Sequence, residues 1–526
     1  MERQSYLDTH AFTVCDTCSS DEEVAADHSE INGASRNWDF GLKENPDDHD
    51  GSETFTHWFN WKEARLQCAL AGPLIVGSLF SFSLQLISVT FVGHVGELEL
   101  SGASIANSFA GVTGFSIVVG MGSSLETLCG QAYGAKQYQK IGIYVQRAML
   151  VLSVISIPMA FVWANIDRIL VAMGQNVVIA SKAGQYAVWL IPTLFGYAIS
   201  QPFEYLLQSQ SLVMPLLLIS LSVLVCHAPI CWLLVFKSGM GFTGAALANS
   251  ISCWIDAALL AIYVGFSPQC VKTRVSLSLE ALQDLKNFFK LAVPSAAMIC
   301  LEWWSYEVLV ILSGLLSNPE LQTATISICV STESLIYMIS FGLGAAASIR
   351  VSNELGAGNP HKALGAVCTA VTLAISEVLP VAVILLLIRN VWGHVYSDER
   401  EVIVAVAGLM PFLSLSTSFD GLQAVFSGVA RGAGWQKVGA VINLGSFYIV
   451  GLPVGCVLAF VLHLEGKGLW LGLTLGVFVQ VMAYLFLTYF TDWKREATKA
   501  AIRIDACSGI KESMLEPGAK EGIFGH

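Results

Sequence analysis

The sequence predicts an all-α polytopic membrane protein, with twelve transmembrane helices in two six-helix lobes related by a parallel internal repeat. Three observations carry this expectation. Hydrophobic residues make up 54% of the 526 residues and charged residues 13%, where a soluble domain carries about 25% charged. From residue 66 to 491 the chain runs as apolar stretches of about 20 residues or more, the length that crosses a hydrocarbon core as helix. The chain also repeats itself. GHVGELELSGASI (93–105) falls in step with GLLSNPELQTATI (314–326) at an offset of 221. VGMGSSLETLCGQAYGA (119–135) matches FGLGAAASIRVSNELGA (341–357), pairing Gly120 with Gly342, Gly122 with Gly344 and Gly134 with Gly356. Upstream, Pro73 pairs with Pro294. Repeats of hydrophobic segments mark secondary transporters.

The elements follow in order. Residues 1–57 hold 14 acids against 3 bases, so this stretch carries −11 of the net charge of −12. With no apolar periodicity, residues 1–60 read as a disordered, solvated, cytoplasmic acidic tail. The tail lacks the basic-then-apolar pattern of a signal peptide. Cys15 and Cys18 form a lone CxxC there, without the second pair or βαβ context that metal or redox chemistry needs. The spans are expected at 66–91, 100–126, 142–164, 184–208, 212–236, 242–266, 288–315, 322–348, 363–388, 402–430, 438–462 and 468–491. Inside lipid each segment must satisfy its own backbone, so these are helices. The N-lobe is placed at 61–266, a cytoplasmic linker at 267–287, the C-lobe at 288–491 and a cytoplasmic carboxy-terminal tail at 492–526.

Lys and Arg near span ends set orientation. Eleven, among them Arg147, Arg350 and Arg431, fall in loops on the side of both termini, against six on the other. Both termini are therefore expected in the cytosol. Six spans per repeat make the two halves enter from the same side, related by a pseudo-twofold axis along the membrane normal.

Charges inside spans are costly and functional by default. The candidates are Glu126, Glu204, Asp256, Glu302, Glu307, Glu333, Glu377 and Asp420. Glu126 and Glu204 lie near expected span ends, where water is close. Glu302 lies in CLEWWSYE, eight residues after Pro294, a proline that invites a bend. The repeat position in the first half is Ser81. A carboxyl withdrawn from water resists ionisation, which suits a group that takes and gives up a proton near neutral pH. Ser305 and Tyr306 share its helix face, and Trp303 is a candidate to stack on substrate. Asp420 heads a second polar stripe with Thr417, Gln423 and Ser427. Its counterpart, counted from the paired prolines Pro192 and Pro411, is the neutral Gln201. Pro294, Gly342 and Gly344 are candidate hinges, although close helix packing explains the glycines equally well. His94, His227 and His463 read as loop or span-end residues. There is no HExxH, no zinc pattern, no catalytic triad and no Walker spacing in RGAGWQK. No enzyme, cofactor, metal centre or direct ATP drive is expected.

Five ordered blocks carry a resemblance: GQAYGAKQYQKIGIYVQR (130–147), CLEWWSYEVLVILSGLL (300–316), RVSNELGAGNP (350–360), SGVARGAGWQKVGAVINLGSFYIVGLP (427–453) and GKGLWLG (466–472). Through them the chain, over about 60–493, resembles the multidrug and toxic compound extrusion (MATE) family in its plant-type DETOXIFICATION branch. The resemblance implies a central cavity that alternates its opening, and antiport of an organic solute against a cation. In plant-type members it implies proton coupling through a glutamate of the seventh span and an aspartate of the tenth, which match Glu302 and Asp420. Bacterial relatives often place a key aspartate in the first span, but 66–92 contains no acid here.

The expected function is export or sequestration of secondary metabolites and xenobiotics in exchange for protons. The partners are a small organic solute, H⁺ and the bilayer, without nucleic acid, and the unit is a monomer in the plasma or vacuolar membrane. A sodium-coupled carrier and a lipid or oligosaccharide flippase are the alternatives. A membrane enzyme would cluster His, Asp or Arg at one interface, and a channel would show rings of carbonyls or charges.

Overall fold

The computed structural model describes residues 60–506, and among these no residue is in a strand. The acidic tail and its CxxC lie outside the described residues, as does the end of the carboxy-terminal tail. Twelve helices of membrane-spanning length run in order: α1 (Trp61–Gly93), α2 (Glu97–Gly134), α3 (Tyr138–Trp163), α4 (Val177–Ser209), α5 (Val213–Lys237) and α6 (Phe242–Phe266) form the first repeat. The second repeat comprises α7 (Leu285–Ser313), α8 (Pro319–Gly356), α9 (Pro360–Trp392), α10 (Arg400–Ala433), α11 (Gln436–Val461) and α12 (Glu465–Phe490). A short helix lies between α3 and α4 at Ile166–Ala172, and α13 (Trp493–Ala506) follows α12. Eleven of the twelve are apolar enough to cross a membrane by composition. The exception is α4, whose character is diluted by Pro192, Gln201, Pro202 and Glu204.

Local chemistry sets the ends. Asn60 caps α1 by accepting from the amides of Lys62 (2.9 Å) and Glu63 (3.4 Å), satisfying donors that a helix start leaves orphaned. Asn318 caps α8, with Pro319 at the first helical position, where a missing N–H costs nothing. Pro73, Pro294 and Pro411 lie inside continuous helices, because neighbouring helices in a bundle re-satisfy the freed groups. π-turns interrupt α2 at Gly111–Phe115 and α11 at Leu444–Gly451 and Val457–Val461.

The repeat noted in the sequence is a physical twofold. A Cβ added at Gly120 of α2 would stand 2.7 Å from Ala296 Cα of α7. One added at Gly342 of α8 would stand 3.1 Å from Ile75 Cα of α1. Gly120 and Gly342 are repeat partners, and so are Ile75 and Ala296. The contact recurs near the end of the bundle where α1 begins and α12 ends, here called the terminal face. There Gly134 abuts the carbonyl of Asn353, and its partner Gly356 abuts the carbonyl of Gln131. Only glycine lets two backbones meet this closely, so the paired glycines mark where the two lobes touch. Gly342 and Gly344 are both close-packing positions, the latter against Ala424 of α10.

Some details differ from the sequence reading. α7 begins at Leu285, before the expected 288, and the preceding linker is tied to α3. Arg147 of α3 donates to the carbonyls of Ala281 and Glu280, each at 3.2 Å. Arg147, Arg350 and Arg431 are thus helical and not in loops, because the helices run past the hydrocarbon core and pack against each other there. His227 is no span-end residue. It is fully buried in α5, between Ser88 (3.0 Å) and Ser252 (2.8 Å).

Candidate functional site

The buried core differs between the lobes. The first repeat packs around one continuous hydrophobic cluster, which extends onto the faces of α7 and α8. The second repeat has two, one toward the terminal face around Val367, Val429 and Tyr484, the other toward the far face around Leu309, Leu409 and Trp470. Between them lie the acids.

Glu302 of α7 is 7% exposed. Its Oε2 accepts from Gln423 Nε2 of α10 (2.8 Å) and Asn443 Nδ2 of α11 (3.5 Å), and its Oε1 from Tyr337 of α8 (3.3 Å). Four residues on, Tyr306 donates to Asp420 Oδ1 at 3.5 Å, and Asp420 is 5% exposed. α7 and α10 run antiparallel, so a residue three places before Gln423 meets one four places after Glu302. Two acids on two helices are thereby cross-tied into one network. Asp420 stands within electrostatic range of Glu302, Glu333 and Glu377, so four carboxyls share the middle of this lobe. Ser416 donates to Glu333 at 2.8 Å and Ser340 to Glu377 at 3.0 Å. Beneath Glu302, Asn443 donates to the carbonyl of Met298 (2.7 Å) and accepts from Gln480 (2.8 Å), fixing the amide that faces the carboxylate.

The remaining residues singled out in the sequence divide. Gln423 joins the network directly, and Ser427 accepts from Arg431 Nη1 at 2.9 Å. Ser305 and Thr417 are buried, and their hydroxyls donate to carbonyls of their own helices. Trp303 is 41% exposed and stands apart from the network. Its neighbour Trp304 donates to the carbonyl of Val112 (3.0 Å) at the π-turn of α2. Glu307 faces Ser108 of the other lobe. Gln201 donates to Glu204 at 3.1 Å, with Asp256 in electrostatic range of Glu204. The first repeat therefore holds acids of its own, on different helical positions from those of the second. Tyr337, Asn443 and Gln480 were missed. Their signal was present as lone polar groups inside apolar spans, but nothing in sequence tells which of these face an acid.

Glu126 is the largest departure. It is no solvated span end. Its carboxylate accepts from Arg431 Nε at 2.9 and 3.1 Å, with side-chain exposures of 5% for Arg431 and 9% for Glu126. This ion pair joins α2 of one lobe to α10 of the other. Around it at the terminal face, Gln131 donates to the carbonyl of Gly432 (3.1 Å), while Asn353 donates to that of Ser209 (3.1 Å) as its repeat mirror. Arg350 of α8 forks onto Glu63 of α1 at 2.9 and 3.0 Å. α13 seats Trp493 against Trp435 and extends Arg503 to Gln131 (2.7 Å).

Two helical repeats meeting on a twofold, with carboxyls enclosed within the bundle, define a polytopic membrane transporter. The family described as MatE matches residues 73–233 and 294–457. Protein DETOXIFICATION 16 of Arabidopsis thaliana is 54% identical over 455 residues, 86% of this chain and 94% of its own. Protein DETOXIFICATION 17 of the same organism is 51% identical over 443 residues, 84% and 93% respectively. The crystal structure of the eukaryotic MATE transporter AtDTX14 superposes with a TM-score of 0.82 at 46% identity, covering 84% of this chain and 99% of that one. An outward-facing MATE family transporter of the MOP superfamily shares the fold alone, with a TM-score of 0.72 at 16% identity over 85% of this chain and 97% of that one. The chain belongs to the MATE family of membrane transporters, and it is a carrier rather than an enzyme.

Proposed function

We propose that this transporter is an antiporter that moves organic solutes out of the cytosol in exchange for protons, with Glu302 and Asp420 as the groups that carry them. The observation behind this reading is the cross-tie between α7 and α10. Glu302 is enclosed among neutral donors, Gln423, Tyr337 and Asn443, and its companion Asp420 is held by Tyr306. Taking a proton removes a charge from a buried site, and changes which partner donates to which. The network joins α7, α8, α10 and α11, so its rearrangement is felt by helices on both sides of the second lobe. Each proton then acts as a ligand that biases a two-state equilibrium. The Lys and Arg balance supports both termini in the cytosol, which makes the terminal face the cytosolic one. The unit is a monomer in the plasma or vacuolar membrane.

The test is uptake of ethidium into proteoliposomes under an imposed pH gradient. The intact protein is expected to transport and Glu302→Gln to fail; gradient-driven uptake surviving in the variant would overturn the assignment. Sodium coupling is the second reading, favoured by two buried amide oxygens, Gln423 Oε1 and Gln480 Oε1, that have no donor among the described residues. A sodium gradient that drives uptake at equal pH on both sides would favour it.

A further inference from the structure

We infer that Arg431 is a positioning residue that ties proton occupancy of the second-lobe acids to closure of the terminal face, through its ion pair with Glu126 of the first lobe. The inference rests on the proton reading above and adds how the two events are linked.

Arg431 ends a stripe on α10. Asp420, Gln423, Ser427 and Arg431 recur at three- and four-residue steps on one helical face. Gln423 donates to Glu302, and Arg431 donates to Ser427 and forks onto Glu126. The stripe therefore reaches along one helical face from the acid network to the lobe interface. α10 is fixed at this end. Thr127 of α2 donates to the carbonyl of Arg431, Gln436 donates to Thr127 at 2.6 Å, and a Cβ on Gly432 would stand 2.7 Å from the Ser348 carbonyl of α8.

The charged and titratable groups around the guanidinium are Glu126 of α2, Tyr205 of α4, Glu302 of α7, Tyr337 of α8 and Tyr484 of α12. Glu126 and Glu302 are the two carboxyls among them. Arginine stays charged throughout. One guanidinium thus serves two carboxylates, one on each lobe: Glu126 in direct contact, Glu302 at longer range.

Closure places the negative charge of Glu126 on Arg431, and the two cancel at Glu302. Taking a proton there then costs no loss of attraction, which suits uptake from the far face. Opening the terminal face separates α2 from α10 and removes Glu126. The uncancelled charge of Arg431 now favours the Glu302 carboxylate, and the proton leaves toward the terminal face. The order of charges gives uptake on one side and release on the other, as proton antiport requires. By linkage, proton occupancy of Glu302 favours the partner state in the same measure.

The experiment measures ethidium transport in oriented proteoliposomes against far-face pH, for the intact protein, Glu126→Gln, Arg431→Gln and the double variant. For Glu126→Gln, Arg431 is uncancelled in both states, so the midpoint should move toward acid by about one pH unit, the order of a screened charge beyond direct contact. For Arg431→Gln, Glu126 is uncancelled and the midpoint should move the opposite way. The double variant removes both buried charges and strands neither, so it folds if a single variant does not. It should keep the intact midpoint and lose the acceleration that alkaline pH at the terminal face gives. Single variants sharing the intact midpoint, or a double variant retaining that acceleration, would overturn the inference and leave the pair as a structural clasp. Glu302→Gln is run in parallel. Gradient-driven transport surviving in it overturns the proton reading itself, whereas its loss alongside unmoved midpoints overturns only the role of Arg431.

Discussion

The two lobes descend from one pattern and are built differently at their centres. In the first, His227 sits between the neutral Ser88 and Ser252, and the acids Glu204 and Asp256 lie near each other. In the second, Glu302 stands at the repeat position of Ser81, and the core is divided into two clusters. Ser81 itself is exposed and donates to the carbonyl of Gly77 on its own helix. The difference teaches that the repeat supplies a frame, with its glycine contacts preserved on both sides of the twofold, while each lobe places its buried acids at different helical positions. The lobe interface is symmetric where it packs and asymmetric where it is charged, since Glu126 and Arg431 have no mirror pair at equivalent positions.

That contrast can be broken from either side. The largest effect is expected from Glu302→Gln, which should bring gradient-driven uptake down to that of empty vesicles while the purified protein keeps its melting temperature; Asp420→Asn should follow it. Next is Gly134→Val at the twofold contact. Its side chain would meet the Asn353 carbonyl, and overpacking of this kind costs about 1–3 kcal/mol, to be read as a lowered melting temperature or loss of the folded monomer. Gly72→Ala is the matched control, because nothing stands within 4 Å of the added carbon. A mid-sized effect belongs to His227→Ala, which takes the imidazole from Ser252 and leaves Ser88 with Asn249 alone. It should lower stability by about 1–3 kcal/mol and leave the pH profile of transport in place. The smallest is Ser81→Ala, expected within about 0.5 kcal/mol and without change in transport, although this position is the repeat equivalent of Glu302.

Much of this was legible in the sequence, for identifiable reasons. Twelve apolar runs and in-step glycines are one-dimensional signals, and the structure turns the glycine pairs into contacts at the positions they mark. Glu302 and Asp420 stood out because a charge in an apolar run is rare. That they share a network was not legible. It depends on antiparallel register between α7 and α10, which no spacing within either helix encodes. Arg431 was misread because it lies two residues before the end of α10, where a basic residue normally marks a loop. It is buried because the other lobe covers that end, and covering by a distant part of the chain leaves no local trace. Glu126 was discounted for the same reason. The acids of the first repeat, Glu204 and Asp256, were each read alone, and their proximity arises from packing of α4 on α6.

The most direct test of the central claim follows protons rather than solute. A pH-sensitive dye is trapped inside proteoliposomes held at equal pH on both sides, and ethidium is added outside. Solute entering through the intact protein should drive protons out, so the lumen becomes alkaline, and Glu302→Gln should leave lumenal pH unchanged. Solute-driven alkalinisation of equal rate and extent in the variant would contradict the account.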